Sequence, residues 1–217
     1  MVYKIAIDGP AGSGKSTVTQ LLRKKMGYKT INSGNIYRAI TYILNKKFGE
    51  VDLTGEIVIN FINNLKIKMV KDDLYYDGVN ISPFLRTKKI DDLVSEVAKP
   101  LYIRKKAGLL QLEFIEDSES GLIIEGRDIG TNVLPDATLK IYLDADAKVR
   151  AKRRFNERPE VSYQKTLDDI LARDLSDKTR EHGRLIIADD AVVICTDNMT
   201  VEEVVENIYK IFNEKIK

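Results

Sequence analysis

The chain has 217 residues, enough to bury one substantial core, and this length leaves open one domain or a domain carrying an insertion. Its 35 Lys and Arg against 33 Asp and Glu leave a net charge of +2, too balanced to argue for a nucleic acid or a membrane surface as a bulk partner, so any basic site has to be local. The longest apolar runs fall far short of the roughly 20 residues that span a bilayer, and the N-terminus lacks the apolar core of a secretory signal, so a cytoplasmic protein is expected.

In chain order, apolar runs at Tyr3–Ile7, Lys29–Ile31, Leu122–Glu125, Leu139–Leu143 and Ala191–Cys195 read as strands. Stretches of helical period follow most of them, at Lys15–Lys25, Ile36–Lys46, Ala147–Asn156 and from Val201 to the C-terminus, the last with Thr200 as N-cap and Glu203 three residues on. This alternation predicts an α/β fold of three layers, a five-stranded parallel sheet flanked by helices. Between about 52 and 99 the alternation breaks. Short runs at Lys66–Lys71, Leu74–Tyr76 and Val79–Ile81 surround the turn signals Lys71-Asp72-Asp73 and Asp77-Gly78, which reads as a small inserted α+β subdomain within a single 1–217 domain. The single cysteine, Cys195, allows no internal disulfide and, inside the run Ala191–Cys195, is expected to be a small core residue. No apolar stripe stands out for the surface, so a monomer is expected.

The sequence Gly9-Pro10-Ala11-Gly12-Ser13-Gly14-Lys15-Ser16, followed by Thr17, matches G-x-x-x-x-G-K-[ST] and lies between a predicted strand and a predicted helix. Glycines there let successive backbone N–H groups converge on phosphate oxygens at a helix N-terminus. Lys15 would reach the β- and γ-phosphates of a nucleoside triphosphate such as ATP, and the Ser16 hydroxyl would ligate Mg²⁺. An ordinary glycine-rich turn needs no lysine at that position. The loop alone does not separate a switch GTPase, a motor and a small-molecule kinase.

Transfer to an acceptor that is itself a phosphate needs little general-base work but brings two polyanions together, so arginines should converge on the reaction centre. The chain carries Arg38 one turn beyond the second strand, Arg127 and Asp128 directly after a strand end, Arg150, Arg153 and Arg154 on one helix, and then Arg173 and Arg180. Carboxyl ends of parallel strands are where ligands bind in open α/β sheets, which favours Arg127; arginines spaced three and four apart on a helix also suit a solvated face, the lesser of the two readings. Asp8 and Glu125, at or near strand ends, suit either Mg²⁺ orientation through water or a structural polar role.

These residues bring out a resemblance to the bacterial-type cytidylate kinases, the (d)CMP kinases, across nearly the whole chain. It is carried by IAIDGPAGSGKST at 5–17, NSGNIYRA at 32–39, IRK at 103–105, EGRDIGTNVLPDA at 125–137 and RDLSDKTR at 173–180. The resemblance implies transfer of the γ-phosphoryl of MgATP to CMP or dCMP, with Lys15, Arg127, Arg150, Arg154 and Arg180 at the reacting groups. It implies that Ser95, Arg104 and Asp128 contact the cytosine, that Arg38, Arg127 and Arg180 hold the acceptor phosphate, that Arg173 and Asp177 meet the ribose, and that Ser33 and Tyr37 line the same pocket. It also implies that the 52–99 insertion binds the acceptor and that 150–163 forms a short helical lid. Two positions depart from the pattern: Asn32, where similar sequences carry aspartate, and Ser176, where some carry arginine.

Other readings fit less well. A switch GTPase would show N-K-x-D, and Asn45-Lys46-Lys47-Phe48 lacks the aspartate. A protein acting on RNA or DNA would show a basic surface with aromatic platforms, which the charge balance opposes. A kinase for UMP or another small acceptor is the nearest alternative, and the set Ser95, Arg104 and Asp128 argues against it.

Overall fold

The computed structural model describes residues 2–50, 52–116, 121–157 and 159–217. The chain divides into two compact units, Met1–Thr30 with Glu119–Lys217, and Ile31–Ser118.

The main sheet has the order β2-β6-β1-β7-β8, from β1 (Lys4–Asp8), β2 (Lys29–Asn32), β6 (Leu122–Gly126), β7 (Leu139–Asp144) and β8 (Val192–Cys195), and is parallel as expected. Its three inner strands are apolar on both faces because helices cover both, the sequence signature of a buried parallel sheet. The chain leaves β1 toward β2, returns through β6 and continues to β7, so the order reverses beside β1. At such a switch point a crevice opens beyond the carboxyl ends of the strands. The register pairs Asp8 with Gly126 and with Tyr142, which sets those ends level.

α1 (Lys15–Met26) and α8 (Val201–Lys215) pack together on the sheet, and Val18, Leu22, Ile123, Ile141, Ile208 and Phe212 belong to one buried cluster. Each such side chain contributes roughly 1.5–3 kcal/mol by leaving water. Thr200 and Glu203 form the expected capping box at the start of α8. α6 (Ala147–Glu157) packs on α7 (Tyr163–Thr179). The segment 150–163 covers most of α6 and the turn to α7, and its Arg158 lies outside the described residues.

Cys195 corrects one expectation: it is exposed, not core, and its Sγ donates to Asp197 Oδ2 at 3.3 Å. β8 is an edge strand, and of its four residues only Ile194 is buried. An apolar run is buried on both faces only in a strand with neighbours on either side.

In the second unit, α2 (Ser33–Phe48) packs against α4 (Lys88–Val97) and α5 (Leu101–Glu116), and α3 (Glu56–Asn63) against α5. β3 (Lys68–Val70), β4 (Asp73–Tyr76) and β5 (Val79–Asn80) form an antiparallel sheet, as the turn signals predict. Asp77 and Gly78 connect β4 to β5 with φ of 47° and 78°, the left-handed pair that a two-residue hairpin requires. α2 begins three residues before the expected Ile36 because Asn32 caps it, its side chain accepting from Asn35 N. The expectation that no apolar stripe is exposed does not hold, since Leu101, Leu109 and Leu112 of α5 and Leu171 and Leu175 of α7 all face solvent. Among the described residues no helix is long and apolar enough to cross a membrane.

Candidate active site

The loop Gly9–Ser16 leaves the end of β1 and enters α1. Gly9 has φ 151°, and a Cβ there would lie 2.1 Å from the carbonyl oxygen of Leu143, so no other residue lets the loop pass so close to β7. Gly14 stands at the N-cap of α1 in the left-handed conformation and offers no side-chain cap, which suits the N-terminus of the helix to receiving an anion. Lys15 is buried, and its Nζ donates to Pro10 O at 2.7 Å and Ser13 Oγ at 3.4 Å. Burial, and after it the guanidinium of Arg127, hold this ammonium well below the ordinary lysine range.

Ser16 Oγ donates to Glu125 Oε2 at 3.0 Å. No group of three or more His, Cys, Asp or Glu suited to a metal occurs among the described residues. A hydroxyl beside one carboxylate is nevertheless the donor set that suits Mg²⁺, which keeps several waters and takes its other ligands from substrate phosphates rather than an all-protein cage. Glu125 thereby sits next to the expected metal ligand.

Beyond the loop, Asp177 of α7 accepts from Arg127 Nε at 2.7 Å and from Arg180 Nη1 at 3.1 Å. Burial opposes its ionisation, but the two guanidiniums outweigh burial and hold its carboxyl below the usual range. Burial likewise works against the charged form of Arg127, and the Asp177 carboxylate more than offsets it. Arg180 also donates from Nε to Gly183 O at 2.6 Å. Arg150 is almost wholly buried: it grips Asp174 with two bonds of 3.1 and 2.6 Å, donates to Ala145 O, and reaches Ala11 O in the phosphate loop at 3.0 Å. Its neighbour Arg153 bonds Thr196 instead. Arg154 and Arg173 are half-buried on α6 and α7.

Asp128 is buried after β6, with Oδ2 accepting from Asn132 Nδ2 at 3.0 Å. Asp8 accepts from Ile129 N at 2.9 Å and Gly130 N at 2.7 Å, so its two oxygens serve backbone amides, the structural of the two roles open to it. Burial pushes its carboxyl up to about 6, against those two hydrogen bonds.

In the second unit, Arg38 pairs with Asp91 of α4 at 3.1 Å, and Arg104 of α5 lies 5.3 Å from the centre of the Tyr37 ring while donating to Ala98 O. Ser33 Oγ accepts from Gln111 Nε2 at 3.0 Å, and Ser95 is half-buried on α4. The fold thus gathers Lys15, Ser16, Arg127, Asp177 and Arg180 in the first unit, and Ser33, Tyr37, Arg38 and Arg104 in the second. Asp91, Gln111, Asn132 and Asp174 escaped the sequence reading. Asp174 carried a signal there, in the Arg-Asp pair at 173–174, and so did Asn132, inside the block at 125–137 and four residues from Asp128; Asp91 and Gln111 are partners that tertiary packing supplies.

A parallel sheet that delivers a phosphate loop onto a helix N-terminus, with a buried lysine and paired arginines beyond it, defines a P-loop phosphotransferase. The profile of the cytidylate kinase family matches residues 5–214. The chain is 62% identical over 216 residues to a probable cytidylate kinase of Vairimorpha ceranae (strain BRL01), covering 100% of both chains. It is 43% identical over 219 residues to the cytidylate kinase of Caldicellulosiruptor saccharolyticus, covering 98% of this chain and 96% of that one. It shares its fold with TT1252 from Thermus thermophilus at a TM-score of 0.53 and 17% identity, over 100% and 98% of the two chains. The chain belongs to the cytidylate kinase family, and with it to the kinases.

Proposed function

We propose that the chain transfers the γ-phosphoryl of MgATP to the 5′-phosphate of CMP or dCMP, yielding ADP and CDP or dCDP. The observation that carries this reading is the buried cluster in which Lys15 at the phosphate loop neighbours Arg127, itself joined through Asp177 to Arg180. An oxygen of the acceptor phosphate, largely ionised near pH 7, attacks the γ-phosphorus in line, and the bond to the β-phosphate oxygen breaks as ADP leaves. The backbone N–H groups of residues 9–17 other than Pro10, together with Lys15, steady the donor, and Arg127, Arg150, Arg154 and Arg180 offset charge on the group in flight. Ser16, hydrogen-bonded to Glu125, would hold Mg²⁺, which when bound would neutralise charge on the donor phosphates.

On the acceptor side, Arg38, Arg127 and Arg180 hold the phosphate, Arg173 and Asp177 the ribose, and Ser33 and Tyr37 line the pocket. Ser95, Arg104 and Asp128 read the cytosine: the carboxylate takes its amino donor and the guanidinium its acceptors. Uracil presents a carbonyl where cytosine has the amine, which leaves the carboxylate unpaired at a cost of about 1–3 kcal/mol. Segment 52–99 serves the acceptor, and 150–163 closes as a lid that keeps water from the donor. ATP and CMP or dCMP are the partners, without nucleic acid or membrane, in a cytoplasmic monomer. Sedimentation tests the monomer, and association through the exposed leucines of α5 would overturn it.

The deciding assay follows ADP release with CMP, dCMP, UMP, AMP and GMP offered singly, for the wild type and Asp128→Ala. Strong stimulation by CMP and dCMP is expected, and in the variant it should fall and lose its preference for cytosine. Stimulation by another monophosphate instead would redirect the acceptor, and none at all would remove the kinase reading.

A further inference from the structure

The backbone ladder between β1 and β6 ends at the pair Asp8 and Gly126, and beyond it a side chain takes over. Asp8 has relative exposure of 5%, and both its carboxylate oxygens are occupied, Oδ1 by Ile129 N and Oδ2 by Gly130 N. These amides belong to the first two residues of a single π-type turn, Ile129–Val133, which opens directly after Asp128. Isolated π turns are rare and concentrate at functional sites. The turn also closes on itself, with Asn132 N donating to Asp128 O at 2.9 Å and Leu134 N to Ile129 O at 2.7 Å. Asn132, one turn on, holds the Asp128 carboxylate by its side-chain amide.

Gly130 lies among the same groups: a Cβ there would meet Asp8 Oδ2 at 3.4 Å, an ordinary contact, and Lys140 Cδ at 3.2 Å, where the lysine stem would give by a few tenths of an ångström. Asp8 also directly precedes Gly9. One buried carboxylate therefore stands at the root of the phosphate loop and holds the turn that carries Asp128.

We infer that Asp8 is a positioning residue for acceptor selectivity: by gripping the amides of Ile129 and Gly130 it fixes the turn that aims Asp128 at the acceptor base. The inference rests on the proposed role of Asp128 in reading cytosine. An asparagine at position 8 keeps the shape and one acceptor oxygen but turns an NH₂ toward a backbone donor, so one of the two grips is lost. Asp8→Glu keeps the charge but lengthens the stem by one methylene, which carries the carboxylate off the two amides.

The test measures kcat and KM for CMP, UMP and ATP in the wild type, Asp8→Asn, Asp8→Glu, Asp128→Ala and the double variant Asp8→Asn/Asp128→Ala, together with amide exchange at Ile129 and Gly130. Asp8→Asn and Asp8→Glu are each expected to lower the CMP-to-UMP ratio of kcat/KM by roughly tenfold, the effect of one buried hydrogen bond, while the KM for ATP stays within about twofold. Exchange at the two amides should quicken in both variants, and Asp8→Asn should lower the ratio no further once Asp128 is gone. If either variant folds and keeps the wild-type ratio, or if Asp8→Asn lowers the ratio equally with Asp128 absent, the inference is overturned. Should Asp8→Asn fail to fold, Asp8→Glu decides alone. A wild type that shows no preference for CMP over UMP overturns the base-reading role itself, a different result from a preference that survives both substitutions.

Discussion

Asp177→Asn removes the charge shared by two guanidiniums while keeping the shape of the side chain. In the wild type the carboxylate lies 2.7 Å from Arg127 and 3.1 Å from Arg180, with side-chain exposures of 9% for Asp177, 18% for Arg127 and 9% for Arg180. Taking one partner from a buried ion pair leaves an uncompensated charge and destabilises by roughly 3–5 kcal/mol, with the lower end favoured because Arg127 is partly wetted. For a chain of this size each kcal/mol lowers Tm by about 2–4 °C, so a fall of about 6–12 °C is expected at pH 7. The sign with pH follows from the depressed carboxyl of Asp177: its contribution is present above the usual aspartate range and is lost as pH falls through the lower folded value. The gap between wild type and variant should therefore narrow on acidification. Added salt should change it little, because the pair is buried. Thermal unfolding followed by circular dichroism across pH 3–7 and at two ionic strengths reads all three. A fall under about 1 kcal/mol, or one abolished by salt, would show that the pair is a solvated surface contact and refute the reasoning.

Asp8 titrates in the opposite sense. Because burial raises its carboxyl from 3.8 to about 6, the folded state holds the proton more tightly, and stability attributable to Asp8 falls as pH rises from about 4 to 6, by on the order of 3 kcal/mol. Urea titrations should show the wild type losing that much relative to Asp8→Asn over the window, whereas a constant difference would contradict the raised value. Lys15, held well below the ordinary lysine range, should take up as much as about one proton when the phosphates of ATP arrive at alkaline pH. Calorimetry in buffers of different ionisation enthalpy measures the uptake, which Lys15→Met should abolish. Glu125→Gln weakens the acceptor that orients Ser16 and should raise the Mg²⁺ needed for half-maximal rate about tenfold, read from activity against free Mg²⁺; an unchanged requirement would separate Glu125 from the metal.

The sheet and the phosphate loop were legible because their signals are local. Buried parallel strands read as apolar runs, and the loop needs glycines and a lysine in fixed order. The hairpin at Asp77-Gly78 was legible for the same reason. α5 and α7 were not assigned from sequence: α5 carries apolar residues around much of its circumference, with Ile103, Leu110 and Phe114 buried but Leu109 and Leu112 exposed, which blurs the 3.6 period. Cys195 was misplaced because a short apolar run does not say whether a strand lies inside the sheet or at its edge. The candidate cations were legible from motif and resemblance, but their partners were not. Asp91 of α4 meets Arg38 of α2 across 53 positions, and Asp174 meets Arg150 across 24. Such pairings arise from helix packing, which no local pattern encodes.

These pairings bear on turnover. Arg38, Arg127, Arg150 and Arg180 each rest against a carboxylate of their own unit. A guanidinium held in that way attracts a phosphate less strongly than a bare one would, because incoming oxygens must share or displace an anion already in place. In the proposed site the carboxylates would therefore act as internal competitors, refilling each grip as a phosphate leaves it. An enzyme that handles highly charged nucleotides would gain from this a ceiling on product affinity, and with it a faster return to the next cycle.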